Sequence, residues 1–187
     1  MTYVRINGNV KEIGNFVFLE CDALKTVELS DELETIGWSM FCNCDSLNEV
    51  KLPAKLKAIE SNAFWGCISL EEIVIPQSVT SIGQQTFYCC YSLKSAEIHA
   101  NVTTLPIGMF ESCYELEQLT ITSKITSIPE DFLWGCESMT DFVIPETVTS
   151  IDAYAFSGCT KLTKVTIGKN VKSIGTNLHK QKVLLQI

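Results

Sequence analysis

An α/β solenoid, built from short repeats stacked on one another, is the fold that this sequence of 187 residues predicts. Three observations support it: cysteines that recur every 23 residues, apolar columns that keep the same step, and a short strand pattern within each unit. Self-similarity at a fixed period of roughly 20–50 residues is the signature of repeat architectures. One unit cannot bury its apolar side chains alone, so neighbouring units stack around a shared core. We therefore expect a single domain over residues 1–187.

The cysteines set the period. Those that keep the 23-residue step are Cys21, Cys44, Cys67, Cys90, Cys113, Cys136 and Cys159. A reactive thiol needs an electropositive, partly exposed niche, whereas a small apolar side chain repeated in register suits a buried column. We predict a structural ladder of thiols, because parallel side-chain vectors in neighbouring coils disfavour disulfides. Cys42 and Cys89 stand beside the ladder and are predicted to be half-exposed thiols.

Each unit reads approximately F-x-x-C-x-x-L-x-x-V-x-L-P-x-x-V-T-S-I-G-x-x-A. The V-x-L part alternates as a short strand with one face buried. Pro53, Pro76 and Pro145 follow the strand directly and end it, because proline has no N–H for the ladder. A glycine, proline or acidic residue after the last isoleucine predicts a turn that leads into a single helical turn carrying the phenylalanine.

The repeats divide the chain into three parts. Residues 1–17 form a partial repeat, residues 18–178 form seven repeats of 23 residues, and residues 179–187 form a cap or a truncated repeat. Leu178, His179 and Lys182 replace the residues that the pattern requires, and Leu185 alone keeps the leucine column. A solenoid needs its terminal coil covered.

Two units, "AFWGCISLEEIVIPQSVTSIG" and "AFSGCTKLTKVTIGKNVKSIG", closely resemble the BspA-like, or Treponema pallidum-type, leucine-rich repeat. This resemblance covers residues 18 to about 178. It implies a right-handed leucine-rich repeat horseshoe, with a concave parallel β-sheet and short helical turns or extended segments on the convex side. Members of the family are commonly surface-exposed or secreted proteins of host-associated bacteria, and some have been linked to adhesion and to binding of fibronectin and fibrinogen.

Solenoids bind partners through residues that vary between the fixed columns. The candidate ligand-binding residues on the concave face are Glu49, Lys51, Glu72, Val74, Glu97, His99, Gln118, Thr120, Asp141 and Val143. They are mostly small, polar or acidic, which favours a polar or basic partner, although a solvated sheet face is an equally good interpretation.

A candidate aromatic strip on the opposite ridge consists of Trp65, Tyr88, Tyr91, Tyr114 and Trp134. These rings could bind protein or sugar, or could fold down over the convex side.

Other classes of function find no support in the sequence. Neither His99 nor His179 has metal-ligand spacing with other residues, and no nucleophile or phosphate-binding motif is present, so we expect no catalytic residue, metal or cofactor. The net charge of −8, with no basic block, argues against nucleic acid. No apolar run is long enough to insert into a membrane.

The sequence thus predicts a non-enzymatic protein-binding module that is part of a cell-surface or secreted adhesin-like protein. The expected partner is a protein ligand, such as a host matrix protein. An intracellular scaffold is the alternative, and a carbohydrate-recognising module is a weaker one. We expect a cytoplasmic location if the chain is complete and a surface or secreted one if it is part of a longer protein. The open ends of a solenoid allow a monomer or a weak homodimer.

Overall fold

The computed structural model describes residues 1–177 and the strand Leu184–Gln186, which form a parallel β-solenoid of about seven coils. Each coil contributes a strand to a first row, and most coils contribute a second, shorter strand to another row. The first row consists of β1 (Tyr3–Arg5), β2 (Thr26–Glu28), β4 (Glu49–Val50), β6 (Glu72–Ile75), β8 (Ser95–Ile98), β9 (Gln118–Ile121), β11 (Asp141–Val143), β13 (Lys164–Thr166) and β15 (Leu184–Gln186). The second row consists of β3 (Thr35–Ile36), β5 (Ala58–Ile59), β7 (Ser81–Ile82), β10 (Ser127–Ile128), β12 (Ser150–Ile151) and β14 (Ser173–Ile174).

Strand pairing is parallel throughout both rows. The first row forms the sheets β1-β2-β4, β6-β8-β9 and β11-β13-β15, and the second row forms β3-β5-β7 and β10-β12-β14. Val4 lies opposite Val27 and Ser127 opposite Ser150, so the strand register keeps the 23-residue step of the sequence. This step is what aligns equivalent side chains into columns.

The last strand departs from that step. Leu185 lies opposite Val165 in the strand pairing, at a step of 20 residues. The 23-residue step of the sequence would instead place it in the leucine column, in line with Leu162. The prediction that Leu185 keeps the leucine column is therefore wrong, because the final connection is shorter than a full repeat. Residues 178–183, including His179 and Lys182, lie outside the described part of the chain.

The segment that carries the phenylalanine is a series of turns. In the coil of Phe41, the N–H groups of Ser39, Phe41 and Asn43 donate to carbonyls of the next coil, at 2.7–3.1 Å. Ser39 and Asn43 have positive φ values of 49° and 56°, and the same two positions are positive in each following coil as far as Tyr154 and Gly158. Positive φ interrupts a right-handed helix, and N–H groups bonded to the next coil cannot bond within their own. The predicted helical turn is consequently absent from the described residues, which contain no helix.

Stacked phenylalanine rings form the centre of the core. Phe18, Phe41, Phe64, Phe87 and Phe110 stack in order, with neighbouring ring centroids 5.3–5.6 Å apart. Leu133 takes this position in the sixth coil, and the adjacent Phe132 is fully buried edge-on to Phe110 at 5.7 Å. The aromatic column therefore continues through a neighbouring position, and the columns of valine, leucine and isoleucine pack around it.

Over the part of the chain that the structure describes, no helix is long and apolar enough to cross a membrane.

Candidate functional site

The cysteine ladder is confirmed for six of its seven members. Cys44, Cys67, Cys90, Cys113, Cys136 and Cys159 are buried, and each Sγ donates to a main-chain carbonyl of the preceding coil at 3.0–3.3 Å. Each accepting carbonyl belongs to the phenylalanine column, or to Leu133 in the case of Cys159. Burial raises the pKa of the Cys44 and Cys159 thiols to about 12 and that of the other four well above the ordinary range. Protonated, buried thiols of this kind are structural.

Cys21 departs from the predicted ladder. It is only half-buried, because it belongs to the first full coil and no earlier phenylalanine carbonyl is available to it. Cys42 and Cys89 are half-buried as well, which matches the prediction for these two thiols. Among the described residues, no group of three or more His, Cys, Asp or Glu side chains is arranged to hold a metal ion.

The first row of strands presents its outward side chains on one surface, which we call the first-strand surface. It carries all ten predicted ligand-binding residues, and nine of them are exposed: Glu49, Lys51, Glu72, Val74, Glu97, Gln118, Thr120, Asp141 and Val143. Val74 and Val143 are 50% and 66% exposed, so they are isolated apolar points in a polar surface. Their neighbours along each strand, such as Ile73 and Ile75, point into the core.

His99, the tenth predicted residue, is less exposed because both ring nitrogens are bonded. Nε2 lies 2.9 Å from a Glu97 carboxylate oxygen, and Nδ1 lies 2.9 Å from the Thr122 hydroxyl of the next coil. Thr122 was not among the predicted site residues. Its position directly after the strand, 23 residues on from His99 and so in the same column, is the signal that identifies it.

Two neighbouring depressions open on the first-strand surface. The larger, of about 880 Å³, lies over the first coils and is lined by residues that include Arg5, Glu28, Glu49 and Lys51. The smaller, of about 290 Å³, is lined by Asn48, Glu49, Glu71, Glu72, Lys94 and Ser95. Glu49 lines both, so the two depressions adjoin across adjacent strands.

Several charges of this surface are already paired. Arg5 bonds Glu28 at 2.7 Å and Lys94 bonds Glu71 at 3.0 Å, in pairs that join successive coils and are well exposed. Exposed pairs of this kind contribute little to stability. Within the described residues Glu49, Glu72 and Asp141 form no ion pair. Lys51 and Lys164 of the same columns are likewise unpaired within the described residues, so the outward columns keep a small excess of negative charge.

The predicted aromatic strip lies along the turn segments, on what we call the turn ridge, and its rings associate in pairs. Trp65 meets Tyr88 edge-on with ring centroids 4.9 Å apart, and Tyr91 stacks on Tyr114 at the same distance. Trp134 is 39% exposed and lies further along the ridge. The rings are partly exposed, so they neither fold away completely nor form an uninterrupted strip.

The Cys89 thiol connects the two aromatic pairs. It is hydrogen-bonded to Tyr91, and this bond is the main cause that raises the pKa of Tyr91 to about 12. Burial, followed by Cys89 and Glu111, raises the pKa of Tyr88.

Sequence reasoning missed a further exposed pair, Phe16 and Trp38, whose ring centroids are 5.8 Å apart on the first coils.

These features define a leucine-rich repeat protein: a parallel solenoid with a 23-residue step, buried ladders and variable outward columns. The family model described as the BspA type Leucine rich repeat region matches residues 1–116 and 57–186, in six copies. The chain belongs to this family.

Solved structures of bacterial leucine-rich repeat proteins resemble the chain. A protein from Bacteroides ovatus is 26% identical, with 92% of this chain and 57% of that chain covered and a TM-score of 0.57. The T. pallidum protein TpLRR is 24% identical, with 93% and 74% covered and a TM-score of 0.60. A protein from Eubacterium ventriosum is 20% identical, with 93% and 57% covered and a TM-score of 0.78.

The chain thus spans 57% of the length of the B. ovatus protein. Comparison with curated proteins finds no match.

Proposed function

We propose that the chain is a non-enzymatic module that binds a basic segment of a protein ligand on its first-strand surface, as part of a cell-surface or secreted adhesin-like protein. The ligand class we propose is a host matrix protein. In this proposal the first-strand surface is the concave side of a right-handed horseshoe, where several coils can contact one ligand together.

The observation that carries the proposal is the pair of depressions that meet at Glu49. A fixed scaffold with variable residues on one surface is the usual binding arrangement of solenoids. Glu49, Glu72 and Asp141 point outward from separate strands of this surface without a cationic partner in the described residues. Charge complementarity of this kind selects partners and speeds association.

Charge reversal on the first-strand surface tests the proposal. The variant Glu49→Lys/Glu72→Lys/Asp141→Lys is expected to lose roughly tenfold or more in affinity for fibronectin or fibrinogen, because it places positive charges opposite a basic ligand. Binding is measured on a surface sensor at two salt concentrations, and the affinity of the unaltered chain should fall at the higher one.

A matched control carries the same change of net charge elsewhere. Glu12→Lys/Glu60→Lys/Asp152→Lys alters three exposed residues near the second row of strands, and it should bind like the unaltered chain. Equal losses in the two variants would mean that only net charge matters. Saturable binding that neither variant weakens would contradict the first-strand surface as the site.

A further inference from the structure

A column of the turn ridge carries an acidic side chain between aromatic ones. Trp65, Tyr88, Glu111 and Trp134 occupy equivalent positions in four successive coils. Backbone bonds that join these coils are Gly66 N–H to the Tyr88 carbonyl at 2.8 Å, Cys89 N–H to the Glu111 carbonyl at 2.9 Å, and Ser112 N–H to the Trp134 carbonyl at 2.7 Å. Glu111 therefore lies one coil, or about 4.8 Å, from Tyr88 on one side and from Trp134 on the other.

The charge of Glu111 is not neutralised by the protein. The side chain is half-buried, and within the described residues it forms no ion pair. Burial, together with the nearby Asp131 carboxylate, raises the pKa of Glu111. Both causes disfavour an unpaired negative charge, and a cation bound from outside would balance that charge and offset the repulsion from Asp131.

The flanking rings are suited to the same kind of ligand. Trp134 is 39% exposed, and Tyr88 is held by its edge-on contact with Trp65 at 4.9 Å and 60°. Aromatic faces attract cations, and tryptophan does so most strongly. The coils of Tyr88 and Trp134 are two strand spacings, or about 10 Å, apart, and the coil of Glu111 lies between them.

We propose that Glu111, flanked by Tyr88 and Trp134, is a binding site for an arginine side chain of a protein partner. A guanidinium group is planar, stacks on aromatic rings and bonds a carboxylate through two N–H donors at once, which an ammonium group cannot do. A sugar could stack on the rings and donate hydroxyl groups to the carboxylate, but it would bring no positive charge to balance it. The site lies on the turn ridge, whereas the proposed ligand surface lies on the first row of strands, so it is a second and independent contact.

The test follows the indole N–H signal of Trp134 during a titration with a tetra-arginine peptide. The chain has three tryptophans, and Trp38→Phe and Trp65→Phe assign the three signals. We expect the Trp134 signal to shift and saturate, and a tetra-citrulline peptide, which lacks the charge, to leave it in place. Glu111→Gln should weaken the interaction about fivefold or more, since it removes the charge and keeps the shape.

Glu60→Gln is the matched control and should leave the affinity at Trp134 unchanged, because Glu60 is exposed beside the second row of strands. Tyr88→Leu provides a second variant of the site and should also weaken binding. The proposal is overturned if the Trp134 signal does not move, if citrulline shifts it equally, or if Glu111→Gln binds arginine unchanged. A shift of Trp134 by cellohexaose but not by the arginine peptide would overturn it in favour of a sugar site.

Discussion

Replacing Phe64 with alanine is expected to lower the free energy of unfolding by about 3–5 kcal/mol, the usual loss for a buried phenylalanine. Phe64 is fully buried and stacks on Phe41 at 5.3 Å and on Phe87 at 5.4 Å. Its removal opens a cavity that borders the neighbouring coil on each side. In a solenoid the interfaces between neighbouring coils contribute much of the stability. Urea unfolding at neutral pH measures the loss.

Val74→Ala is the control for this prediction. Val74 belongs to the same 23-residue repeat as Phe64 but is 50% exposed on the first-strand surface, so its truncation should change the free energy of unfolding by at most about 0.5 kcal/mol. Equal unfolding midpoints for Phe64→Ala and the unaltered chain would contradict the stacked core.

Alkaline pH is expected to unfold the protein through its buried thiols. The folded pKa of the Cys44 and Cys159 thiols is about 12, and that of Cys67, Cys90, Cys113 and Cys136 is also raised. An unfolded cysteine has a pKa of about 8.5. The folded state therefore holds these protons longer, so the stability that the thiols contribute is complete below about pH 8.5 and is lost as the pH rises towards 12.

The expected size of this effect is large. At pH 10 each buried thiol should cost about 2 kcal/mol of stability, since the unfolded pKa lies about 1.5 units lower. Six thiols together amount to about 12 kcal/mol, comparable with the whole stability of a typical domain. Urea unfolding followed from pH 7 to pH 10.5 measures the decline.

Two variants check its origin. Cys90→Ala should reduce the number of protons that set the slope of the decline by about one, whereas Val74→Ala, which removes no titratable group, should leave the slope unchanged. A midpoint that stays constant up to pH 10 would show that the thiols are not buried as described.

The sequence step of 23 residues was enough to predict the solenoid, its first row of strands and most of its core. The reason is physical: register fixes which side chains meet, so equivalent residues such as Cys67 and Cys90 necessarily share a column. The second row of strands was missed because it consists of two-residue strands such as Ser127–Ile128, too short for any alternation to be visible.

Local conformation was harder to predict than register. The turn after the last isoleucine was expected to lead into a helical turn, but the pattern does not reveal that Ser39 or Gln85 adopts positive φ. Such conformations in non-glycine residues are imposed by the bonds to the next coil. Leu133 stands at the phenylalanine position of its repeat, yet Phe132 is the residue whose ring contacts Phe110. The sequence of one repeat could not predict this, because the contact depends on the packing between two coils.

The candidate site was predictable as a surface but not as a set of contacts. Alternation along the strand placed Glu72 and Val74 outward, as the structure has them. The bond from His99 to Thr122 depends on side chains of two coils, and so does the position of Glu111 between Tyr88 and Trp134. Only the stacked register brings these residues together.

The most direct test of the stacked architecture is a thiol count with Ellman's reagent, before and after denaturation without reductant. We predict that three thiols, those of Cys21, Cys42 and Cys89, react in the native protein and that all nine react in denaturant. Rapid reaction of all nine in the native state would contradict the buried ladder. Fewer than nine in denaturant would mean that the ladder contains disulfides, and the account of the core would be wrong.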